Sequence, residues 1–209
     1  MCNEIRGETL KDVHAEGVNH ILKHGKEKID QNGEGTIECT NLHFIVTKPD
    51  GSHATADKTT KELDLFFASG VVYGNVAARV AKDFDYGYGA LMREGDMLDR
   101  TIALLKRHPE TRRAYIPIFH PCHVGSKLEL PCLIGLQFMI IEGALDLTAV
   151  FRSNDCGQAS PSDDFGLTAL QRYVAFKLNL SIGKYYRYVI SAHLKKGDAD
   201  KFDKWGKGY

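Results

Sequence analysis

A chain of 209 residues, 43% hydrophobic and 26% charged, has the length and composition of one sizeable globular domain with its own core. Lysine plus arginine equals aspartate plus glutamate at 27 each. That balance argues against a nucleic-acid binder working by bulk charge, while a few converging arginines still suffice for a small anion. No stretch approaches the roughly 20 apolar residues of a membrane span. Met1 to Leu10 is polar and lacks the apolar centre of a signal peptide, and the five irregularly spaced cysteines point to reduced thiols in the cytoplasm.

In chain order, Thr9 to His24 reads as a helix with Leu10, Val13, Ile21 and Leu22 on one side and Gly25 as its stop. The run Asp30 to Gly35 is a loop. Thr36 to Lys48 reads as a hairpin or a bent strand pair, ending in the turn residues Pro49 to Ser52. Helices are expected over Lys61 to Ser69 and Asn75 to Lys82, and Asp85 to Gly89 is a glycine-punctuated loop. Asp96 to His108 places Leu98, Ile102 and Leu105 in helical register, with Pro109 as a stop.

Ala114 to Phe119 is a short strand preceded by Arg112 and Arg113. Cys132 then opens a long apolar strand, Leu133 to Ile141. Glu142 and Gly143 turn the chain, and Ala144 to Phe151 returns to end in Arg152-Ser153-Asn154-Asp155. A loop from Cys156 to Ser162 leads to a helix starting near Asp163 and carrying Leu167, Leu170, Val174 and Leu178. Tyr186 to Ala192 is a last strand with His193 at its end. Strands, helices and an antiparallel hairpin in one unit predict an α+β fold built on one large mixed sheet flanked by helices, with residues 1–209 as a single domain.

Free cysteine is most often a buried core residue, but Cys132 has unusual company. The hairpin brings Arg152 and Ser153 to its edge, and positive charge near a thiol favours the nucleophilic thiolate. Arg112, Arg113 and Arg152 could together hold a phosphate, because the planar guanidinium makes bidentate contacts with phosphate oxygens. Adjacent arginines on a strand point to opposite sides, so one of the pair could serve a neighbouring subunit. Pro121-Cys122-His123 lacks a second ligand pair at metal-site spacing, which leaves a loop as its reading and no metal as the expectation.

The spacing of these motifs resembles the thymidylate synthase superfamily. Arg113 lies nineteen residues before Cys132 and Arg152 twenty after it; Leu130-Pro131-Cys132, Gln137-Phe138 and Arg152-Ser153-Asn154-Asp155 follow the family's order. Glu62-Leu63 with Phe66-Phe67 resembles its glutamate-bearing helix, Tyr88-Gly89 its Tyr-Gly loop, and Ser191-Ala192-His193 its ribose-binding end. Pro121-Cys122 spells the family's Pro-Cys, but it lies ten residues out of register.

The resemblance implies that Cys132 adds to C6 of a pyrimidine nucleoside monophosphate, and that C5 then takes a one-carbon unit from 5,10-methylenetetrahydrofolate. Glu62 would manage protons through water. Arg152, Ser153, Arg112 and Arg113 would bind phosphate, the arginine pair across a homodimer interface. Asp155 would be both a catalytic and a folate-binding residue, bonding the pterin, and His193 would contact the sugar.

The chain departs from the family at Asp163, where a thymidylate synthase has the Asn that reads uracil. A carboxyl group can accept from the 4-amino group of cytosine and share a proton with N3. Asp163 therefore points to the cytidylate hydroxymethylase branch and a CMP or dCMP substrate; the simpler alternative is a helix N-cap. The family's tryptophans between Asn75 and Arg93 are missing, and the one tryptophan is Trp205. A site without that wall would let water, rather than hydride, reach the transferred carbon. Gln31 stands in a loop where synthases have a phosphate-binding Arg, and Lys195 where many have Tyr. The chain also ends short of the usual synthase tail. The competing readings are a short thymidylate synthase acting on dUMP, a nucleotide-binding protein without turnover, and a zinc protein at Cys122 and His123.

Overall fold

The computed structural model describes residues 3–49, 88–125 and 130–198. Its strands form one mixed sheet in the order β1-β3-β8-β6-β5-β4, with β2 paired to β3 and β7 paired to β8. These are β1 (Glu4–Gly7), β2 (Lys26–Ile29), β3 (Gly35–Val46), β4 (Tyr115–Pro117), β5 (Leu133–Ile141), β6 (Ala144–Phe151), β7 (Asn154–Asp155) and β8 (Ser181–Lys195). The helices are α1 (Leu10–His24), α2 (Tyr88–Arg93), α3 (Met97–Arg107) and α4 (Ala159–Leu178). This is the α+β arrangement expected. The predicted helices over Lys61 to Ser69 and Asn75 to Lys82 lie outside the described residues.

Helix α1 begins at a capping box: Thr9 Oγ1 accepts from the Asp12 amide at 3.2 Å, and Asp12 Oδ2 accepts from the Thr9 amide at 3.1 Å. Its apolar face buries Leu10, Val13, Val18 and Ile21 against the sheet. At Gly17 the helix comes so close that an added Cβ would lie 2.6 Å from Phe44 Cε1.

The stretch predicted as a hairpin or bent strand pair is a single twelve-residue strand, β3. It remains one strand because β8 pairs with it from Thr36 to Val46. The ladder skips Asn41, whose φ is +56° and whose Oδ1 accepts from the Tyr188 hydroxyl at 2.9 Å. Tyr88 and Gly89 lie in helix α2 rather than in a loop. The last strand is also longer than its apolar pattern suggested, since parallel pairing with β6 begins at Ser181.

The central hairpin forms as the sequence indicates. Leu133 pairs with Phe151 and Ile141 with Ala144, and the turn places Glu142 at φ +51° and Gly143 at φ +80°, the two left-handed residues that a tight primed turn requires. Along β6, Leu145, Leu147, Ala149 and Phe151 are buried while the residues between them are partly covered. Helix α4 packs beneath this inner face through Leu167, Leu170 and Val174.

Helix α4 starts at Ala159, so Asp163 and Asp164 lie inside it and both are buried. This corrects the loop predicted as far as Ser162, and it corrects the alternative that made Asp163 an N-cap. The N-cap position belongs to Gln158, which makes no capping bond through its side chain. Asp155 Oδ1 instead receives the amides of Gly157 and Gln158, at 3.0 and 3.1 Å.

Candidate active site

Cys132 is half-buried immediately before β5. Its carbonyl accepts from the Arg152 amide at 2.9 Å, which closes the mouth of the hairpin. The Arg152 side chain then folds over the same loop. Its Nε donates to the Pro131 carbonyl at 2.9 Å, its Nη2 donates to the Leu130 carbonyl at 2.7 Å, and Nη2 lies 4.0 Å from Cys132 Sγ. On the other side, the Leu133 amide donates to the Tyr88 hydroxyl at 3.3 Å. The cysteine is therefore held at a strand start between an arginine and a tyrosine.

The next residues lie at the same end of the neighbouring strands. Ser153 Oγ lies 3.5 Å from His193 Nδ1. Asp155 pairs with His193 in the β7–β8 ladder, and the Cys156 amide donates to the His193 carbonyl at 2.9 Å. Asp155 spends Oδ1 on the two loop amides, and among the described residues Oδ2 receives no donor. Arg152, Ser153, Asp155 and His193, predicted as site residues, thus lie with Cys132 at one end of the sheet.

Behind them lies a polar cluster in the core. Asn154 Nδ2 donates to Asp163 Oδ2 at 2.9 Å. Asp164 Oδ2 pairs with Arg187 Nη1 at 2.7 Å, and Asp164 Oδ1 accepts from the Tyr185 hydroxyl at 2.8 Å. The Arg187 guanidinium carbon sits 4.0 Å over the Phe44 ring. Burial, with Asp164 as a like charge beside it, pushes the Asp163 carboxyl up from 3.8 to about 7. Burial also pushes the Cys156 thiol up to about 11, so Cys156 is a core thiol and not a second nucleophile.

Arg112 and Arg113 are exposed and lie elsewhere. They precede β4, whose Tyr115 pairs with Gln137, and the Ala114 carbonyl accepts from the Phe138 amide. That level of β5 is about 20 Å from Cys132 at ~3.3 Å per residue. The chain therefore does not bring its own arginine pair to its own cysteine. Glu62 and Trp205 lie outside the described residues. Lys195 is engaged by Glu34 at 2.9 Å; this hydrogen bond raises the lysine's pKa. Pro121–His123 is a single 3-10 turn in which His123 Nδ1 accepts from the His120 amide at 3.0 Å. Among the described residues no group of three or more His, Cys, Asp or Glu side chains is placed to hold a metal, and no helix is long and apolar enough to cross a membrane.

Sequence reasoning named neither Asn154, Ser160 nor Arg187 as site residues. Arg187 carried a signal: it occupies the inward parity of β8, between Tyr185 and Val189. A charged residue on the apolar face of a strand requires a buried partner. Asn154 was visible only as the variable position of the Arg-Ser-x-Asp motif.

The class of protein to which this fold belongs is given by its likeness to known chains. Residues 57–204 match the thymidylate synthase family, and the chain belongs to that family, whose members carry out folate-dependent one-carbon transfer with methylenetetrahydrofolate as co-substrate. The chain is 31% identical to a protein of Methanococcoides burtonii named "Putative thymidylate synthase", across 98% of this chain and 94% of that protein. A protein of the same name from Methanosarcina acetivorans is 32% identical with the same coverage. A third, from Methanothermobacter thermautotrophicus, is 29% identical across 98% of this chain and all of its own length.

Proposed function

We propose that the protein is a cytoplasmic C5 hydroxymethylase of a cytidine monophosphate, CMP or dCMP, using 5,10-methylenetetrahydrofolate. The observation that carries this reading is Asp163. Its buried carboxyl holds its proton up to about pH 7, and Asn154 ties it to the motif whose Arg152 reaches Cys132. A protonated carboxyl can donate to N3 of cytosine and accept from its 4-amino group at once, as a deprotonated carboxylate cannot.

Cys132 would add as thiolate to C6, with Arg152 favouring the charged sulfur. The electron pair at C5 would form the new carbon–carbon bond to the one-carbon unit. Loss of the C5 proton and release of tetrahydrofolate would leave an exocyclic methylene. Addition of water there, followed by departure of Cys132 from C6, gives the 5-hydroxymethyl nucleotide, with no reductant consumed. The tryptophan-free stretch from Asn75 to Arg93 favours water over hydride at the methylene. Asp155 Oδ2 would bond the pterin, His193 with Ser153 would meet the sugar and phosphate, and Glu62 would relay protons.

The phosphate site would be completed by Arg112 and Arg113 of a second copy, since they lie far from Cys132 in their own chain. The outward sheet face supports this pairing: Tyr115, Met139, Ile141 and Ile190 are each 36–44% exposed there, an apolar surface suited to a homodimer.

The names of the relatives favour a second reading, a short thymidylate synthase acting on dUMP. Tritium release from 5-tritiated CMP, dCMP and dUMP, with and without methylenetetrahydrofolate, decides between them. Release from a cytosine nucleotide without formation of dihydrofolate supports the hydroxymethylase. Release from dUMP alone, with dihydrofolate formed, overturns it, and release from none favours a binding protein without turnover.

A further inference from the structure

We infer that Arg187, Ser160 and Asn154 form a one-directional hydrogen-bond relay that fixes which oxygen of Asp163 faces the base as a donor, and so sets the base specificity of the site from behind. This inference rests on the cytosine reading of Asp163.

The direction of the relay follows from what each group can do. Arginine has only donors. Nη1 of Arg187 gives one hydrogen to Asp164 Oδ2 and one to Ser160 Oγ. Ser160 Oγ thereby accepts, so its own hydrogen is free to go to Asn154 Oδ1, 2.5 Å away. The Cys156 thiol points at the same residue, 3.6 Å from the Asn154 carbonyl and 4.0 Å from its Oδ1. With donors on its Oδ1 side, the Asn154 amide is held in one orientation, and Nδ2 donates to Asp163 Oδ2.

The consequence falls on Asp163. Oδ2 receives an N–H and is a poor place for a proton, so the acid proton resides on Oδ1, to which no donor among the described residues is directed. Under the cytosine reading, Oδ1–H faces N3, and Oδ2 uses its second lone pair for the 4-amino group. Uracil needs the reverse pattern, a proton on the oxygen opposite O4, and the relay opposes that state. All five groups are buried: Ser160 is 0%, Arg187 and Asn154 1%, Asp164 4% and Asp163 8% exposed. Water is thus a weak competitor for these bonds. The three relay members are positioning residues, since within this cluster only Asp163 would touch the base.

The test is Ser160→Ala, with Asn154→Ser as a second variant should the first fail to fold. The ligand-free protein is examined first, by following the Asp163 carboxyl carbon with pH by NMR of protein labelled with carbon-13 at aspartate Cγ. The signal is assigned by its loss in Asp163→Asn. Freeing the Asn154 amide to turn its oxygen toward Asp163 removes a donor to the carboxylate, so the midpoint is expected to rise by about one pH unit. The ratio of kcat/KM for the cytosine nucleotide over its uracil counterpart is then expected to fall about tenfold, through gain of the uracil substrate.

A midpoint and a ratio both equal to wild type overturn the relay while wild-type tritium release from cytosine leaves the hydroxymethylase reading standing. Wild-type release from dUMP alone overturns that reading, and the specificity role of the relay with it, even where the midpoint moves. A raised midpoint with a lowered ratio supports the relay.

Discussion

Nη2 of Arg152 lies 4.0 Å from Sγ of Cys132 while it donates to the Leu130 carbonyl at 2.7 Å. One side chain thus shapes the loop that carries the thiol and sets a cation beside the sulfur. Lysine keeps the charge but lacks the fork. Arg152→Lys is therefore expected to fold and to lose about a hundredfold in kcat, the scale of a misplaced reacting group. Arg152→Ala is expected, in addition, to slow alkylation of Cys132 by iodoacetamide at neutral pH. An alkylation rate equal to wild type would disconnect Arg152 from the reactivity of the sulfur.

Asp163 predicts a pH dependence. Its folded-state value is raised from 3.8 to about 7, so the stability it contributes is full below about pH 4 and is lost as pH rises through about 7. Asp163→Asn carries no such loss. Between about pH 5 and about pH 8, urea denaturation is expected to show the variant gaining about 3 kcal/mol relative to wild type. A constant difference across that range would mean that Asp163 ionises normally.

The same substitution tests recognition. Asparagine donates where the acid would accept, so Asp163→Asn is expected to move base preference from cytosine toward uracil nucleotides, with the cytosine kcat/KM reduced about tenfold or more. In wild type, KM for the cytosine nucleotide is expected to rise above about pH 7, where Asp163 loses its proton. An unchanged base preference in the variant would reduce Asp163 to a structural residue of α4.

The Asp164–Arg187 pair has side chains only 6% and 1% exposed. Removing one partner strands a buried charge, so Arg187→Met is expected to destabilise the protein by about 3–5 kcal/mol. Asp164→Leu combined with Arg187→Met is expected to recover most of that loss, because the double variant leaves no lone charge. Additive losses in the double-mutant cycle would argue that the two residues act separately.

Gly17 tests the packing beneath this pair. Alanine there gains about 1 kcal/mol in helix propensity, but its Cβ would lie 2.6 Å from Phe44 Cε1. Phe44 is buried under the Arg187 guanidinium and has little room to yield. A net loss of about 1–2 kcal/mol is expected from overpacking; a gain in thermal stability would show that α1 shifts freely.

The sequence by itself determined the hairpin and the meeting of Cys132 with Arg152 at its mouth. Alternating apolar residues from Leu133 to Phe151 around Glu142-Gly143 leave one register, and that register places Cys132 opposite the Arg152 end of the strand. Local pattern likewise marked α1 and α3. Tertiary structure decided what local pattern cannot encode. Helix α4 starts at Ala159 because Asp155 and Asn154 satisfy the preceding turn from outside the helix, and β3 stays whole because β8 pairs along it. The separation of Arg112 and Arg113 from Cys132 follows from the pairing of β4 with the far end of β5. Above all, the buried cluster joins Asn154, Ser160, Asp163, Asp164 and Arg187 from three elements. Desolvation in that shared interior makes their hydrogen bonds directional and keeps a carboxyl protonated near neutrality, a property no single segment of the chain possesses.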